Sequence, residues 1–318
     1  MEIKPVIEKW DGMISALTIG AEAKDGGSRA NTVKIGGETG LPLLFKEGNI
    51  PNPPVVAYEI WDIPPQDWPE ELTAPYGKAL NNPFEWADKC VNEFKAKLLC
   101  VRMQGGHPDC GNKGPRECAE FISILLSRVK VPLIIIGSGD DTKDNQIMPA
   151  CSEAARNERC LIGSAVQDNY KTLVASALAD GHSVIAESPI DINIAKQLNI
   201  LISDMGLGVE RVVINPTIGA LGYGLEYAYS IMERARLAGL SGDKTLASPF
   251  ICFVGQESWR TKEAKSAGEQ GIIWETVTAA SFIQSGADLL VLRHPAAAKK
   301  ISDYINELFV NKDTGQRG

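Results

Sequence analysis

The stretch Pro132-Leu-Ile-Ile-Ile-Gly-Ser-Gly-Asp-Asp-Thr142 shows the pattern that decides the fold. A short apolar run, long enough for one buried strand, is followed by a polar turn that contains glycine and then by a helical stretch. The same order occurs eight times from about residue 55 onwards, with apolar runs at Val55–Ile60, Leu98–Met103, Pro132–Ile136, Leu161–Ser164, Ser183–Ala186, Arg211–Ile214, Phe250–Val254 and Asp288–Leu292. Because strand-then-helix units pair in parallel through right-handed crossovers, eight of them predict an α/β protein with a (β/α)8 TIM barrel.

The residues before the first run follow a different pattern. Ile14–Ile19 and Asn31–Ile35 are two strand-like runs separated by the turn Lys24-Asp-Gly-Gly-Ser28, which predicts a β-hairpin. We therefore predict a single domain made of an N-terminal hairpin extension in residues 1–50 and a barrel in residues 51–318. The hairpin precedes the first barrel strand, so we expect it to plug the N-terminal mouth of the barrel.

Residues typical of helix ends support this division. Pro115 and Pro295 stand where a proline at the first helical position is expected. Gly181, Gly239 and Gly286 follow helical stretches, at positions where a left-handed C-cap favours glycine.

The composition argues against several classes of partner. The 32 Lys and Arg residues against 40 Asp and Glu residues give a net charge of −8, which disfavours nucleic acid and an anionic membrane surface. No apolar run approaches the ~20 residues that a membrane span needs. We therefore expect a cytoplasmic protein with no nucleic-acid partner and no membrane partner.

The seven cysteines do not form a metal-binding pattern. No two of them are spaced as C-x2-C, and the spacing of Cys110 and Cys118 matches no iron–sulfur or zinc site. We predict that this chain itself binds no metal through them, and a set of free thiols is typical of a reducing compartment.

The connection after the first barrel run, residues 61–82, is long for a barrel loop and carries Trp61, Trp68 and Tyr76. Such loops in compact domains are usually functional or disordered, and these aromatic side chains argue for order. They could form a partner surface or a ligand rim, or they could pack over the end of the barrel. The sequence leaves both alternatives open.

Three loops carry the candidate binding residues. They follow the second, third and sixth predicted strands, whose carboxyl ends gather at one face of a barrel. Glycine in such loops lets the main chain approach a ligand closely. The candidates are Gln104, Gly105, Gly106 and His107 in the first loop, Ser138, Gly139 and Asp140 in the second, and Asn215, Gly219 and Gly222 in the third.

His107 has two possible roles on this face. It could be an acid/base group or a cobalt or zinc ligand, or it could form only a hydrogen bond within its loop. Without a second histidine or a carboxylate at ligand spacing, the pattern favours the hydrogen bond. The third loop is not a dinucleotide fingerprint either, because Tyr227 stands where the third glycine belongs.

The residues at the predicted strand ends do not form a recognisable catalytic set. We find no strand-borne lysine for a Schiff base, no paired histidines for zinc and no nucleophile elbow, so we predict no catalytic residues and no metal ligands in this chain. The strand-end residues are Glu59, Arg102, Ser138, Ser164, Glu187, Asn215 and Arg293.

Several stretches closely resemble the small subunit of the corrinoid iron–sulfur protein of the reductive acetyl-CoA (Wood–Ljungdahl) pathway of anaerobes. The resemblance covers nearly the whole chain, and the segment after the sixth strand is long enough to be specific. The matching stretches are Thr32–Glu38, Asn52–Ala57, Gly137–Gly139, Asn215–Tyr227 and Ser230–Arg234.

The resemblance implies a division of labour between subunits. It implies a heterodimer with a large subunit, which carries the 4Fe-4S cluster and most of the corrinoid (cobalamin) site. The corrinoid is then shared, because a mobile cap domain of the large subunit meets the strand-end face of this barrel. A methyltetrahydrofolate:corrinoid methyltransferase supplies the methyl group, acetyl-CoA synthase receives it, and a reductive activator restores the cobalt.

From this resemblance and their position, the ten loop residues named above are predicted to contact the corrinoid. The cofactor carries the hard chemistry, so the barrel needs to supply shelter and orientation more than catalysis. Two other functions remain open from the sequence: a pterin-dependent methyltransferase on the same kind of barrel, and a non-catalytic scaffold subunit.

Overall fold

The computed structural model describes residues 6–266 and 269–310. In this part of the chain, strands and helices alternate as the apolar runs predict. The strands are β1 Leu17–Ile19, β2 Val33–Ile35, β3 Val55–Trp61, β4 Leu99–Arg102, β5 Leu133–Ile136, β6 Leu161–Ala165, β7 Ser183–Glu187, β8 Val212–Asn215, β9 Ile251–Cys252 and β10 Leu289–Leu292.

Strands β3 to β10 form one parallel sheet that curls into a barrel. Their order is β8-β7-β6-β5-β4-β3-β10-β9. An isolated parallel bridge between Ile214 and Phe250 joins β8 to the residue before β9 and so completes the circle. The predicted TIM barrel is confirmed, although β9 contains only two residues and its side of the barrel is the least regular.

The helices lie on the outside of this barrel, where they cover the outward-facing strand residues. None in residues 6–266 or 269–310 is long and apolar enough to cross a membrane. The helices are α1 Glu70–Thr73, α2 Pro83–Asn92, α3 Pro115–Arg128, α4 Asp141–Ala154, α5 Tyr170–Asp180, α6 Ile192–Asp204, α7 Leu225–Leu240, α8 Val254–Ser258, α9 Gln270–Ser285 and α10 Pro295–Ile305.

The predicted helix ends are correct at four of the five named positions. Pro115 and Pro295 are the first residues of α3 and α10, and Gly181 and Gly286 are left-handed C-caps. Gly239 was wrongly assigned, because it lies inside α7. A Cβ at Gly239 would come 3.0 Å from the main chain of Ala247, so close packing explains this glycine.

The inside of the barrel is filled by alternate residues of each strand. In a strand, successive side chains point to opposite faces, so a position two residues further on faces the same way. Ala57 of β3, Ile185 of β7 and Val213 of β8 belong to the inner apolar cluster, whereas their sequence neighbours pack against the helices. This alternation directs the last inward residue of each strand into the C-terminal mouth.

The N-terminal hairpin closes the other end of the barrel. β1 and β2 pair antiparallel, with Leu17 opposite Ile35 and Ile19 opposite Val33. All four side chains are buried and join the inner cluster together with residues from the starts of the strands, such as Leu161. The hairpin therefore plugs the N-terminal mouth, as its position in the sequence predicts, and within the described residues the opposite end of the barrel holds an open cavity.

Candidate ligand site at the C-terminal mouth of the barrel

A cavity of about 530 Å³ opens at the C-terminal mouth of the barrel. Its size is typical of a small-molecule site. The lining includes Trp61, Trp68, Arg102, Gln104, His107, Ser138, Gly139, Asp141, Asp144, Ser164, Glu187, Asn215, Phe253, Gln256, Trp259 and Arg293. We call this cavity the well, and we call the loops around its opening the rim.

One wall of the well is built around a buried carboxylate, Glu59 of β3. Its Oε1 accepts hydrogen bonds from Trp61 Nε1 at 2.8 Å and from Arg102 Nε at 2.9 Å, and its Oε2 accepts one from Arg293 Nε at 2.8 Å. Burial would raise the pKa of Glu59, but the two guanidinium groups outweigh it and hold this pKa well below its usual value. The wall therefore carries two fixed positive charges against one negative charge.

Aromatic rings of the long connection pack against this wall. The guanidinium carbon of Arg293 lies 5.4 Å from the ring centroid of Trp61 and 4.9 Å from that of Trp68, within cation–π range. Trp68 also makes an edge contact with Trp86, which in turn contacts buried Tyr76. Of the two alternatives for residues 61–82, the structure thus favours packing over the end of the barrel, although Trp61 and Trp68 also line the well.

The opposite wall is acidic and lies at the ends of β7 and β8. Glu187 and Asn215 are paired in the sheet register, and Asn215 Nδ2 donates a hydrogen bond to Glu187 Oε2 at 3.0 Å. Asn215 Oδ1 accepts from the main-chain N–H of Thr217 at 3.1 Å, which fixes the orientation of the amide. Nearby Asp141 has its pKa raised by partial burial and by neighbouring carboxylates, among them Asp144 and Glu187. This wall is suited to N–H donors of a ligand.

The first predicted loop, residues 104–107, is divided between the well and the protein interior. Gln104 and His107 line the well. Gly105 and Gly106 are buried: the N–H of Gly105 donates to Asp62 Oδ1 at 2.7 Å, and a Cβ at Gly106 would come 2.6 Å from Ile147. These two glycines hold the loop close to the barrel, and their main chain faces the interior.

His107 forms a local hydrogen bond in this structure. Its Nδ1 accepts from the main-chain N–H of Asp109 at 3.1 Å. Among the described residues, no group of three or more His, Cys, Asp and Glu side chains is placed to hold a metal ion. Six of the seven cysteines are buried free thiols, and Cys110 is an exposed one.

The second predicted loop is organised by Asp144. Its Oδ1 accepts from the N–H of Ser138 at 2.6 Å and from the Ser138 hydroxyl at 2.7 Å, and its Oδ2 accepts from the N–H of Gly139 at 3.2 Å. Asp140 is the N-cap of α4, because its Oδ1 accepts from the N–H of Lys143 at 2.7 Å. Ser138 and Gly139 line the well while Asp140 does not, and the main-chain N–H groups of Ser138 and Gly139 already have a protein partner.

The third predicted loop extends from the well onto the rim. Asn215 lines the well, whereas Gly219 and Gly222 lie outside its lining. A Cβ at Gly219 would collide with the carbonyl oxygen of Tyr223, so this glycine is required by packing. Gly222 is exposed with φ +78°, and a Cβ there would meet no atom within 4 Å. Of the ten predicted residues, the structure thus brings Gln104, His107, Ser138, Gly139 and Asn215 together around the well.

The prediction left out four charged residues that shape the well: Glu59, Arg102, Glu187 and Arg293. They were recognised as strand-end residues, but their pairing was not visible, because Glu59 and Arg293 are 234 residues apart in sequence. A signal was present nonetheless. Each stands two residues after a buried inward residue of its strand, so the alternation that fills the core also directs it into the mouth.

Comparison with known proteins shows to which family the chain belongs. The sequence matches the model of the CO dehydrogenase/acetyl-CoA synthase delta subunit over residues 17–303. The chain belongs to this family. The resemblance inferred from the loop sequences, to the small subunit of the corrinoid iron–sulfur protein, is thereby confirmed.

Curated delta-family relatives match over nearly the whole chain. An acetyl-CoA decarbonylase/synthase complex subunit delta from Methanocaldococcus jannaschii is 35% identical over 310 residues, which are 95% of this chain and 76% of that protein. The subunit of the same name from Methanothermobacter thermautotrophicus is 34% identical over 319 residues, 98% of this chain and 79% of that protein.

Solved structures with a similar fold are dihydropteroate synthases. The enzyme from Xanthomonas albilineans superposes with a TM-score of 0.57 and 14% identity, covering 83% of this chain and 94% of that chain. The enzyme from Vibrio fischeri gives a TM-score of 0.59 and 10% identity, covering 85% of this chain and 97% of that chain. At this level of identity the likeness establishes the barrel fold of the delta-family chain and nothing further.

Proposed function

We propose that this chain is the small subunit of a corrinoid iron–sulfur methyl carrier within an acetyl-CoA decarbonylase/synthase complex. The family match over residues 17–303 carries the proposal, and relatives named as delta subunits of that complex support it. The rim would form one half of the corrinoid site. A large subunit would form the other half and hold the 4Fe-4S cluster.

In this proposal the chain has a binding role. A bound corrinoid supplies the cobalt chemistry that takes the methyl group from a methyltetrahydrofolate:corrinoid methyltransferase and passes it to acetyl-CoA synthase, with a reductive activator as a further partner. The residues of this chain would support the ring, hold its polar side groups and shield it from water. The proposal assigns no proton transfer and no covalent step to them.

The rim is compatible with a broad, flat ligand. At Gly139 and Gly222 an added Cβ would meet no atom within 4 Å, so the main chain is open to an approaching ring. Gln104 and His107 add polar side chains beside this surface, and these suit the amide groups around a corrin. The Ser138 and Gly139 N–H groups are bound to Asp144, so we assign them to holding the loop in shape.

An absorption spectrum tests the shared site directly. The chain is purified alone and together with its large subunit, both from cells that make corrinoid. We expect a corrinoid band in the pair and none in the isolated chain, because each partner supplies only part of the site. A full corrinoid complement on the large subunit alone, unchanged when this chain is added, would contradict the proposal.

Gly222→Trp tests the contact at the rim. A bulky side chain here would stand where the ring is proposed to lie, and we expect corrinoid retention by the pair to fall about tenfold, which needs only about 1.4 kcal/mol of lost contact. The matched control is Gly181→Trp. Gly181 has a similar φ of +84° and the same free space, but it caps α5 and is followed by the start of β7, at the other end of the barrel.

Because both substitutions place a side chain at positive φ, both are expected to cost about 1–2 kcal/mol of folding stability. Only Gly222→Trp should release the corrinoid. Equal retention by the two variants would instead favour a scaffold subunit that does not touch the cofactor.

A further inference from the structure

Two of the buried cysteines lie side by side between neighbouring helices. Cys118 belongs to α3 and Cys151 to α4, and both side chains are inaccessible to solvent. The two helices pack closely against each other, and the thiol of Cys151 donates a hydrogen bond to the sulfur of Cys118. Sulfur atoms this close can form a disulfide with small movements of the side chains.

The other buried cysteines lack such a neighbour. Among the described residues, no hydrogen bond joins any of them to a second cysteine. The sulfur of Cys252 lies 3.9 Å from the thioether sulfur of Met232, which cannot form a disulfide. Burial raises the pKa of Cys90, Cys100 and Cys160, so these thiols stay protonated and are poor nucleophiles.

Cys118 is the more reactive thiol of the pair. The hydrogen bond from Cys151 lowers the pKa of Cys118 and outweighs its burial, and the charge of Lys113 acts in the same direction as the hydrogen bond. The same hydrogen bond, together with burial, holds the pKa of Cys151 well above its usual value. Because the thiolate is the nucleophilic form of cysteine, Cys118 is the sulfur that attacks first.

The position of Cys118 also gives a small oxidant a route to the pair. Cys118 is the fourth residue of α3, and Arg116 and Glu117 just before it are exposed. The ends of helices open locally at a much lower free energy than unfolding of the whole domain requires. Opening of the first turn of α3 would uncover Cys118, and closing of the turn would return it to Cys151.

We propose that Cys118 and Cys151 form a reversible disulfide when the protein meets a peroxide, and that this bridge ties α3 to α4. The Cys118 thiolate attacks one peroxide oxygen, the O–O bond breaks, and a sulfenic acid and hydroxide form. The hydroxide takes up the proton that Cys118 had released. The Cys151 sulfur then attacks the Cys118 sulfur, the S–O bond breaks, and the oxygen leaves as water with the proton of Cys151. Two thiols thus lose two electrons and two protons, and one hydrogen peroxide becomes two molecules of water.

The bridge would join two helices that both begin at the rim. α3 follows the loop that carries Gln104 and His107, and α4 follows the loop that carries Ser138. A covalent link between the helices restricts their relative movement, so oxidation would also restrain these two loops. The inference concerns the thiol chemistry of this chain and does not depend on the proposed corrinoid binding.

Peptide mapping tests the bridge directly. The reduced full chain, with Cys110→Ser to remove the exposed thiol, is treated with hydrogen peroxide, then unfolded, alkylated and digested. We expect a pair of peptides linked through Cys118 and Cys151, which dithiothreitol separates, and alkylated thiols at the other four cysteines. Recovery of Cys118 and Cys151 as alkylated thiols, or their separate oxidation to sulfinic acids, would overturn the proposal.

Single substitutions in the same background test the order of the two steps. Cys151→Ser removes the second thiol but keeps a hydroxyl that can donate to Cys118, so Cys118 should accumulate as a sulfenic acid that dimedone labels. Cys118→Ala should leave Cys151 unlabelled. The matched control is Cys160→Ala, which changes a buried cysteine outside the pair and should form the bridge as before. Equal labelling of Cys118 and Cys151 in the two variants would contradict the first attack by Cys118.

Thermal unfolding tests whether the bridge ties the helices together. A disulfide constrains the unfolded chain, so peroxide should raise the unfolding temperature of the Cys110→Ser protein by about 3 °C or more, and dithiothreitol should reverse the rise. Peroxide should cause no rise in a protein that also carries Cys118→Ala. A bridge that forms without raising the unfolding temperature would show that it does not hold α3 against α4.

Discussion

At the scale of single residues, the mouth of the barrel depends on buried carboxylates that are tightly hydrogen-bonded. Glu59 and Glu275 are both inaccessible to solvent, and both accept several N–H groups. Their charges are balanced differently. Two guanidinium groups stabilise the ionised form of Glu59, whereas Glu275 faces main-chain N–H groups of Arg293 and His294 and the indole N–H of Trp259.

Glu275 predicts a pH dependence of stability. Burial outweighs its hydrogen bonds and raises its pKa from the usual 4.5 to about 7. Because the folded state then holds a proton that the unfolded state releases, the contribution of Glu275 to stability is complete below about pH 4.5 and is lost as pH rises to about 7. The difference amounts to roughly 3–4 kcal/mol, taking about 1.4 kcal/mol for each pKa unit.

Urea unfolding of the protein and of its Glu275→Gln variant at pH 5, 6.5 and 8 checks this prediction. Glutamine is neutral throughout, so we expect the difference in unfolding free energy between the two proteins to shift in favour of the variant as pH rises. His294, whose pKa burial lowers to about 4, is present in both proteins and cancels in the comparison. A difference that stays constant over this range would show that Glu275 does not titrate there.

At the scale of elements, the N-terminal hairpin completes the core of the barrel. Parallel strands fill most of the interior with their inward residues, but the N-terminal end would remain open without β1 and β2. Ile35 shows why the hairpin is needed, because its side chain is fully buried although it belongs to a strand outside the barrel sheet.

Ile35→Ala should therefore destabilise the whole protein. Truncating a fully buried isoleucine removes apolar contact and leaves a cavity, with an expected loss of about 3 kcal/mol of unfolding free energy. The control is Lys34→Ala, one residue earlier on the exposed face of β2, which should change stability by less than about 0.5 kcal/mol. Chemical denaturation measures both. Similar small effects from the two substitutions would mean that the hairpin is only loosely attached.

The strands and helices could be predicted from the sequence more readily than the hydrogen-bonded residue pairs that form the site. Each apolar run predicted its strand to within a few residues, because burial on both faces imposes a local pattern, as at Leu133–Ile136. The bonds of the site are not local. Asp144 turned out to hold the N–H groups of Ser138 and Gly139, and nothing in the sequence distinguishes it from an exposed carboxylate in the first turn of a helix.

At the scale of the whole molecule, Arg236 connects three distant parts of the chain. This buried arginine of α7 donates to Glu38 Oε2 at 3.0 Å, to Asp288 Oδ2 at 2.9 Å and to the carbonyl oxygen of Gly286. Glu38 lies in the N-terminal extension and Asp288 immediately precedes β10. Burial and the neighbouring charge of Asp288 raise the pKa of Glu38, whereas the charge of Arg236 opposes this rise.

Replacing Arg236 by methionine should be strongly destabilising. Two buried acids would lose their shared cation, and breaking a buried ion pair on one side costs about 3–5 kcal/mol. Arg234→Met, at an exposed position two residues earlier in α7, is the control and should have little effect. Thermal and urea unfolding compare the two variants. Comparable stability of both would show that the acids are satisfied without the arginine.

The pairing of β3 with β10 has a consequence for how the protein is made. Val55 and Leu289 are neighbours in the sheet, so the ring of strands stays incomplete until β10 has left the ribosome. Until then, the apolar side chains of the hairpin have no finished interior to enter, although they are synthesised before the barrel strands. Contacts between residues this far apart in sequence slow folding, and they prolong the lifetime of intermediates that expose apolar surface and tend to aggregate. We therefore expect the protein to depend most on chaperones during and shortly after its synthesis.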